Sequence, residues 1–490
     1  MARNAGRETT GKSDRLQGHG ALCVDLDGTL LRSDLLYESL LAMVSRNPLL
    51  VLLLPFWLLR GKANLKRQIA LRGQIPAAAL PYDERVLAYL RDTPQRPRVL
   101  CTASDLLLVQ PISDHLGLFE EVIASDGTCN IAGSAKATAL VERFGRHGFD
   151  YMGNHAVDLA VWRHAKGAIV VNASARLASQ ASGTTRLIDH WPPHGGGLRT
   201  WAKALRLHQW LKNLLVFVPL VTAHRFLEPS AILGACAAFV AFGLCASGVY
   251  LLNDLIDLEP DRQHPRKHKR PFAAGNLPLI HGLMAAPTLA LAGIVLAFAV
   301  VPAFALLLVV YYAMTLGYSL KLKRIVMIDV VLLASLYTIR IIGGAVAIVS
   351  PLSFWLLAFS MFIFLSLALL KRYTELAAVA SAGKRGASGR AYSVADLLLI
   401  QSLGTASGYI GVLVFALYIN SPNSLELYVQ PQMLWLLCPV LLYWISRTWV
   451  IAHRGCMHDD PILFAVRDRV SQCTGVFALL IVLAATHPWY

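Results

Sequence analysis

Three aspartates near the end of a long apolar stretch have the residue type and spacing for metal-dependent phosphate chemistry. Asp254, Asp257 and Asp261 follow the nearly uncharged run 231–252, and several basic residues come directly after them. Carboxylates are ligands that Mg²⁺ prefers, and neighbouring cations neutralise phosphate charge. The spacing therefore predicts Mg²⁺ held on a diphosphate, the alternative being a solvated loop of mixed charge. The residues that we expect to bind the substrate beside them are Asn253, Arg266, Lys267 and Arg270.

The geometry of this acidic segment follows in part from the spacing. Asn253, Asp254 and Asp257 fall within about one helical turn, so they can share one side of a helix. Pro260 is not tolerated in a helix interior, and the helix is therefore expected to end before it. Asp261 would then reach the site from a loop.

The composition places these residues in a membrane protein. The chain has 490 residues, of which 56% are hydrophobic and 15% charged, and its mean hydropathy is +0.51. Such values indicate an integral membrane protein with a soluble part. The net charge of +15 fits cytoplasmic loops and an anionic lipid or substrate. We expect no nucleic-acid binding, because no motif beyond net charge supports it.

The chain divides into four regions by composition. Residues 1–20 are a polar tail, and 21–171 have the pattern of a soluble α/β domain. Residues 172–200 are rich in Ala, Ser, Gly and Pro, which predicts a linker. Residues 201–490 predict an all-α membrane domain.

About nine apolar spans are expected in the membrane domain. They lie near 212–227, 231–253, 282–299, 302–319, 327–349, 352–370, 399–419, 432–451 and 471–487. The loops on one side carry almost all the basic residues, including Lys384, Arg385 and Arg390. The positive-inside rule makes these loops cytoplasmic and predicts a multi-pass protein of the inner or plasma membrane. The N-terminal domain, the acidic segment and the other charged motifs would then face the cytoplasm.

A further apolar tract lies within the soluble part. Leu49–Leu59 is too short to cross a bilayer, which takes about 20 residues, and Pro55 interrupts it. It predicts an interfacial helix or a helix of a cap domain.

Several spaced motifs in the membrane half carry a family resemblance. Asn253–Asp261 reads N-D-x-x-D-x-x-x-D, and Asp329 is followed four residues on by Leu333. The other motifs are Arg206–Asn213, Tyr318–Lys323, Arg340, Lys371–Leu376 and His458–Phe464. Together they resemble the UbiA-type prenyltransferase superfamily over about 201–490, and within it the decaprenyl-phosphate phosphoribosyltransferase branch.

The resemblance implies a reaction and a set of site residues. Mg²⁺ held by Asp254, Asp257 and Asp261 would neutralise the leaving diphosphate of phosphoribosyl pyrophosphate, and a polyprenyl (decaprenyl) phosphate would be the acceptor. Leu333 stands where aromatic prenyltransferases carry the last acid of a second motif, which favours a single Mg²⁺-diphosphate. The residues expected to bind the phosphates are Lys212, Asn213, Tyr318, Lys321, Lys323, Arg340, Lys371, Arg372 and Tyr373.

Two other functions stay open at this point. One is a UbiA-type aromatic prenyltransferase that uses a polyprenyl diphosphate donor. The other is a transporter or scaffold without enzymatic activity. The sequence is compatible with a homo-oligomer and does not fix the lipid chain length.

A second set of motifs lies in the soluble domain. Asp25 and Asp27 follow a short apolar strand, and Thr102, Lys136 and Asp158 come later in order. They resemble the four motifs of the haloacid dehalogenase (HAD) phosphatases, a Rossmann-like α/β family. The resemblance implies Asp25 as nucleophile, Asp27 as acid and base, Thr102 and Lys136 on the phosphoryl oxygens, and Mg²⁺ on Asp25 and Asp158.

The fourth motif departs from the family pattern, because Asn154 stands where an acid is common. Either catalysis is weakened or the domain is structural. The fusion suggests that an active domain removes the 5-phosphate left on the lipid-linked ribose.

Overall fold

A computed structural model describes residues 20–383, 391–457 and 460–486. The chain forms two compact units: the first comprises Met1–Leu205 and Tyr250–Ala286, and the second comprises Arg206–Val249 and Pro287–Tyr490. The predicted α/β class is confirmed for the first unit and the helical class for the second. The polar tail, except for Gly20, lies outside the described residues, as do Lys384, Arg385 and Arg390.

The first unit is built on one six-stranded sheet. Its strands are β1 (Ala21–Val24), β2 (Arg98–Asp105), β3 (Glu121–Ser125), β4 (Phe149–Gly153), β5 (Gly167–Val171) and β6 (Arg186–Trp191). Their order is β3-β2-β1-β4-β5-β6, and every pairing is parallel. The order reverses between β1 and β4, and ligands of such sheets bind at the carboxyl ends of the strands at this switch point.

Alternation along the strands explains why both faces of the sheet are covered. Ala21 and Cys23 of β1 pack into the hydrophobic cluster on one face, whereas Leu22 and Val24 pack into the cluster on the other. Because side chains of a strand point alternately to its two faces, a fully apolar strand needs helices on both sides. The helices of this part are α1 (Leu35–Arg46), α2 (Leu54–Leu59), α3 (Lys62–Arg72), α4 (Glu84–Asp92), α5 (Leu106–Leu116), α6 (Ser134–Phe144), α7 (Leu159–Trp162), α8 (Ala175–Ser182) and α9 (Leu198–Ala204).

The predicted linker at 172–200 is wrong for much of its length. Residues 175–182 form α8, and 186–191 form β6, which pairs with β5. Ala and Ser suit a short helix capped by Ser174, whose side chain accepts a hydrogen bond from the Leu177 backbone N–H. The α/β fold therefore extends beyond residue 171.

The remaining helices follow in chain order. They are α10 (Val218–Thr222), α11 (Pro229–Ile256), α12 (Leu258–Gln263), α13 (Leu279–Val300), α14 (Pro302–Leu320), α15 (Ile328–Ala347), α16 (Phe354–Ser381), α17 (Leu397–Ile419), α18 (Pro422–Leu427), α19 (Leu437–His453), α20 (Pro461–Arg467) and α21 (Arg469–Thr486). Among the described residues, eight helical segments are long and apolar enough to cross a membrane. They coincide with eight of the nine predicted spans.

The first predicted span, 212–227, differs from the others. A 3-10 helix, Leu207–Phe217, leads into the five-residue α10, which Pro219 helps to begin. Proline lacks a backbone N–H and removes one donor from the hydrogen-bond ladder, so the segment is divided rather than continuous.

The apolar tract at 49–59 forms a short 3-10 helix, Pro48–Leu53, followed by α2. Leu49, Phe56 and Leu59 are exposed, while Trp57 is buried against Met43. The Oγ of Ser45, just before the tract, donates a 3.2 Å hydrogen bond to the carbonyl oxygen of Ile256, the last residue of α11. This position suits the predicted interfacial helix, which stays a prediction.

Candidate functional site

Asp25 follows β1 directly, at the switch point of the sheet. Its Oδ1 accepts a 2.7 Å hydrogen bond from Nζ of Lys136, which also donates to the Tyr151 hydroxyl at 2.9 Å. That hydroxyl donates to Oδ1 of Asp158 at 3.1 Å. The structure thus brings together three of the residues predicted for phosphoryl chemistry, and Tyr151 connects them without having been predicted.

Asp27 is held by a different set of donors. The Leu35 backbone N–H donates to its Oδ1 at 2.7 Å, and the Ser104 hydroxyl donates to Oδ2 at 2.8 Å. Thr102 is fully buried and lies farther away, with its hydroxyl 3.4 Å from Oδ2. Ser104 was not predicted, although it lies two residues after Thr102 and so on the same face of β2. The cavity wall contains Ser104 rather than Thr102.

Burial and crowding of carboxylates set the charge of this site. Burial raises the pKa of Asp25 to about 6, with Asp158 adding to the effect and Lys136 opposing it. Burial, with the negative charges of Asp34 and Asp25, raises the pKa of Asp27 to about 7. A carboxyl group with a pKa near neutrality can both donate and accept a proton, as an acid–base role requires.

Gly28 allows the turn after the two aspartates. Its φ of +74° favours glycine, and a Cβ at this position would come within 2.0 Å of the side-chain nitrogen of Asn154. Asn154 therefore packs directly on the turn that follows Asp25 and Asp27. Both residues line the cavity that contains Asp25 and Asp27.

A hydrogen-bond network centred on the buried Asp83 supports the turn at Gly28. Asp83 accepts hydrogen bonds from Arg85 at 2.8 Å and from Nδ2 of Asn172 at 3.0 Å, and that Nδ2 also donates to the Gly28 carbonyl at 3.1 Å. Burial alone would raise the pKa of Asp83, but the hydrogen bonds from Arg85 and Asn172 outweigh it and lower the pKa from 3.8 to about 2.

Replacing Asp83 with asparagine is expected to loosen this turn. A carboxylate whose pKa falls on folding stabilises the protein above its unfolded pKa, and this contribution is lost as pH falls from about 4 to about 2. At neutral pH we expect Asp83→Asn to cost about 1–3 kcal/mol, because buried donors lose a charged acceptor. Hydrogen–deuterium exchange of residues 25–34 should speed up, whereas Asp92→Asn, an exposed carboxylate of α4, should leave it unchanged.

The acidic segment of the membrane domain also lies in the first unit. Nη1 of Arg270 donates to Oδ1 of Asp254 at 3.2 Å and to Oδ2 of Asp261 at 2.5 Å. Nζ of the exposed Lys267 lies 3.9 Å from Asp261. The structure therefore brings Asp254 and Asp261 to one cation, while Asp257 occupies the N-terminal cap position of α12, outside this ion pair.

The expected helix end before Pro260 is confirmed, because α11 ends at Ile256. The expectation that Asp261 lies in a loop is wrong. Asp261 belongs to α12, whose first turn contains Pro260. Proline is tolerated in the first turn of a helix, where its missing N–H would have no intrahelical partner. Asn253 lies half-buried in α11, and Arg266 is exposed after α12.

The pair Asp254 and Asp261 and the pair Asp25 and Asp158 both suit Mg²⁺. In the described ranges, no three His, Cys, Asp or Glu side chains lie close enough together to hold a metal without other ligands. Mg²⁺ is usually held by one or two carboxylates together with waters and substrate phosphates. Asp254 and Asp261 converge on the Arg270 guanidinium, which shows that they can share a cation. Asp25 and Asp158 line one cavity beside Lys136.

The second unit contains a group that we name the cation cluster: Lys212, Asn213, Arg340, Lys371 and Asp460. Nζ of Lys212 and Nζ of Lys371 each donate to Oδ2 of Asp460 at 2.9 Å. Burial alone would raise the pKa of Asp460, but the two lysines outweigh it and lower that pKa. Asp460 lies in a motif that signalled the family, but it was not predicted as a site residue.

Arg340 is buried in the cluster among neutral acceptors. Its Nε donates to Oδ1 of Asn213 at 2.9 Å, and Nη2 donates to the Tyr311 hydroxyl at 2.9 Å. A further donor bonds the Leu336 carbonyl. Asn213 is also buried, and its Nδ2 finds no hydrogen-bond partner within the described residues. An unpaired buried donor beside an arginine indicates a place for an anionic acceptor.

Arg372 is not part of the cation cluster. It is buried and pairs with the carboxylates of Asp329 and Glu375, and its Nη2 donates to the Tyr318 hydroxyl at 2.9 Å. The structure therefore brings together Arg372 and Tyr318, both predicted as phosphate ligands, in an ion-pair network centred on Asp329. Lys321 is exposed and Lys323 half-buried, in the turn between α14 and α15.

Tyr373 lies in neither the cation cluster nor the ion-pair network of Asp329. Its hydroxyl lies 2.9 Å from Nδ1 of His453, and its ring packs edge-on against Trp449. It is buried in the hydrophobic cluster that α16 shares with α19. This environment is that of a packing residue, and the structure does not bring Tyr373 to the cation cluster.

An apolar cavity of about 560 Å³ lies within the second unit. Its lining includes Trp355, Leu356 and Phe359 of α16, the helix that also carries Lys371. Lys371 lies twelve positions after Phe359, which corresponds to roughly 18 Å along a helix. The cavity has the size and lining of a site for an apolar chain.

The sequence matches the UbiA prenyltransferase family over residues 214–466. A Sinorhizobium fredii protein, uncharacterized protein y4nM, is 36% identical over 461 residues, covering 93% of this chain and 89% of that one. Nodulation protein NoeC of Azorhizobium caulinodans is 35% identical over 273 residues, covering 55% and 87%. A decaprenyl-phosphate phosphoribosyltransferase of Mycolicibacterium smegmatis is 32% identical over 276 residues, also covering 55% and 87%.

These similarities, together with the membrane-length helices, define an integral membrane enzyme of the transferase class. The chain belongs to the UbiA prenyltransferase family.

Proposed function

We propose that the chain transfers 5-phosphoribosyl from phosphoribosyl pyrophosphate to a polyprenyl phosphate. The observation that carries this proposal is the cation cluster, in which Arg340 and the unpaired Nδ2 of Asn213 offer buried donors for phosphate oxygens. The similarity to the Mycolicibacterium enzyme, named a decaprenyl-phosphate phosphoribosyltransferase, supports phosphoribosyl as the transferred group and a polyprenyl phosphate as the acceptor. The apolar cavity beside α16 suits a polyprenyl chain.

The reaction exchanges one bond at the anomeric carbon. An oxygen of the lipid phosphate forms a bond to C1 of the ribose as the bond from C1 to the diphosphate breaks. The acceptor oxygen is already ionised, so no strong general base is needed. Bound Mg²⁺ would supply charge neutralisation for the leaving diphosphate.

Each set of residues has a role in this proposal. Asp254, Asp257 and Asp261 would hold the metal, and Arg270, which pairs with Asp254 and Asp261, would be available to the phosphates once a metal replaced it there. Lys212, Asn213, Arg340 and Lys371 bind phosphate oxygens through fixed donors. We assign Arg372 and Tyr318 to positioning, because Asp329 and Glu375 already neutralise that guanidinium.

The residue at position 333 favours this reaction over aromatic prenylation. A second acidic motif would need an acid at 333 in addition to Asp329, but residue 333 is leucine. One acidic motif suits one Mg²⁺-diphosphate. The aromatic prenyltransferase remains the alternative that the experiment tests.

We also propose that the first unit is a phosphatase that removes the 5-phosphate from the lipid-linked product. The supporting observation is the arrangement of Asp25 against Lys136, with Asp27 held separately and its pKa raised to about 7. A carboxylate oxygen of Asp25 would attack phosphorus while Asp27 protonates the leaving sugar oxygen. Water, deprotonated by Asp27, would then release inorganic phosphate. Lys136 and Ser104 would contact the phosphoryl group.

The setting proposed for both reactions is the cytoplasmic face of the inner or plasma membrane. Phosphoribosyl pyrophosphate is a soluble metabolite, and the basic loops predict that face by the positive-inside rule. Membrane lipid is the surrounding solvent, and a homo-oligomer is compatible with this setting.

The test of the transferase uses the detergent-purified chain, Mg²⁺, radiolabelled phosphoribosyl pyrophosphate and a polyprenyl phosphate. We expect label in the organic extract, lost with EDTA. A parallel reaction contains a polyprenyl diphosphate and an aromatic acceptor. Lipid product only in that second reaction would replace our proposal with aromatic prenylation, and no product in either would favour a transporter or scaffold.

Replacing Arg340 is expected to weaken substrate binding strongly. Lysine keeps the charge, but its three donors on one nitrogen are too few for Asn213, Tyr311 and the Leu336 carbonyl together with a phosphate. Arg340→Lys should therefore lower kcat/KM for transfer by about 10²-fold. The exposed Arg324→Lys serves as the matched control and should change it little. Equal activities of the two variants would show that Arg340 only packs.

A further inference from the structure

The cavity that contains Asp25 and Asp27 is lined in part by residues from outside the α/β fold. It measures about 780 Å³, and its lining includes Asp25, Asp27 and Asp158 at the carboxyl ends of β1 and β4. The same cavity is lined by residues 193–196 and by Gly275, Asn276 and 278–281. The latter follow the acidic segment along the chain and lie outside the α/β fold.

A buried ion pair fixes this segment on the α/β fold. Arg262 donates to both carboxylate oxygens of Glu38, at 2.5 and 3.0 Å, and both side chains are buried. Glu38 also accepts a 2.5 Å hydrogen bond from Ser33, which follows the turn at Gly28. A two-point arginine–carboxylate pair of this kind fixes orientation as well as distance.

Close backbone packing fixes the segment at a second place. Gly275 has a φ of +68°, and a Cβ there would lie 2.5 Å from Cβ of Arg32 and 3.0 Å from its carbonyl oxygen. A Cβ on Gly195 would come within 2.8 Å of Cβ of Asn276. The segments around Arg32, Gly195 and Gly275 are distant in sequence and pack together at the cavity. At positions 195 and 275 only glycine fits without displacing a neighbour.

The lining residues from outside the α/β fold include both polar and apolar side chains. Asn276, His194 and His281 contribute polar groups to the lining, and Ile280, with the largely buried Leu279, contributes apolar ones. Leu279 is the first residue of α13, which is 22 residues long and apolar enough to cross a membrane. The cavity thus extends from Asp25 to the start of a helix that is long and apolar enough to cross a membrane.

We infer that residues 275–281 cap the phosphatase cavity and that the cavity takes a phosphomonoester carried on a membrane lipid. The phosphate would lie at Asp25, the sugar against Asn276 and His281, and the lipid anchor along Leu279 and Ile280. A volume of about 780 Å³ exceeds what a free sugar phosphate fills and falls within the range of sites for larger ligands. This inference rests on the phosphatase proposed above.

The test compares two substrates on the full-length protein in lipid nanodiscs with Mg²⁺. One is ribose 5-phosphate, and the other is a synthetic farnesyl-phosphoryl ribose 5-phosphate, so that the transferase step is not needed. We expect kcat/KM for the lipid-linked substrate to be about 10²-fold higher, since binding energy from the non-reacting part is used at the reacting centre. Release of inorganic phosphate is the readout.

Two variants test the cap itself. Ile280→Asp and His281→Ala should each lower the ratio of the two kcat/KM values by about tenfold, because the lipid-linked substrate loses its specific contacts. Leu71→Asp, an exposed leucine of α3 outside the cavity, is the control and should keep the ratio.

The outcomes separate the cap from the phosphatase. Equal rates on the two substrates, or a ratio that neither cap variant changes, would overturn the cap while the phosphatase proposal stands. No phosphate release from either substrate, with Asp25→Asn behaving as the unaltered chain does, would overturn both.

Discussion

Replacing Asp261 with asparagine is expected to lower phosphoribosyl transfer by about 10²–10³-fold, the effect typical of removing one preorganised charge from a transition state. Asp261 is buried, and its carboxylate shares the Arg270 guanidinium with Asp254. The asparagine keeps the shape but removes one of the carboxylate charges that would hold the divalent ion. The Mg²⁺ concentration for half-maximal activity should rise with the loss of rate.

The matched control for this substitution is Glu259→Gln. Glu259 lies two residues before Asp261 in α12 and outside the ion pair with Arg270. The assay is label from phosphoribosyl pyrophosphate in the organic extract, measured over a Mg²⁺ titration. Equal activity of the two variants would contradict the metal role of Asp261 and leave Arg270 as its structural partner.

The parts of the fold that could be predicted are those that depend on residues close together in the chain. The apolar spans have the length of a bilayer crossing, and eight of them became long helices. β1 is apolar on both faces, which favours a buried parallel strand with helices on each side. The carboxylate motifs were visible because their spacing is short and their residue types are costly beside an apolar span.

What could not be predicted depends on contacts between distant residues. Glu38 and Arg262 are 224 residues apart, and neither position carries a local signal for its partner. Asp460 lies 248 residues from Lys212 and 89 from Lys371, yet it joins both. β6 was missed because Ala, Ser, Gly and Pro around it favour a linker by composition, whereas pairing with β5 decides its structure.

The observed positions of Asp261 and Tyr373 differ from the predicted ones for two different reasons. Pro260 predicts that Asp261 lies in a loop, but a proline in the first turn is compatible with the start of a new helix. Tyr373 lies beside Lys371 and Arg372 in one motif, yet adjacent residues of a helix point in different directions. The structure accordingly distributes these three side chains among the cation cluster, the Asp329 network and a hydrophobic cluster.

Replacing Asp25 with asparagine is expected to lower phosphate release from the lipid-linked substrate by at least about 10³-fold, as for other enzymes that lose their nucleophile. The amide has no anionic oxygen to attack phosphorus and no negative charge to pair with Lys136. The transferase should continue, so the product extracted after a coupled reaction should retain its 5-phosphate. Asp126→Asn, an exposed carboxylate of the same unit, is the control.

Asp27→Asn separates the two half-reactions. p-Nitrophenyl phosphate has a leaving group that needs no protonation, so Asp25 should still become phosphorylated in this variant. Hydrolysis of the aspartyl-phosphate requires a base, which asparagine cannot supply. Labelled phosphate should therefore accumulate on the protein in Asp27→Asn and be absent from the double variant with Asp25→Asn. Failure to trap any label would argue that Asp25 is not a nucleophile, and the first unit would then be a structural domain.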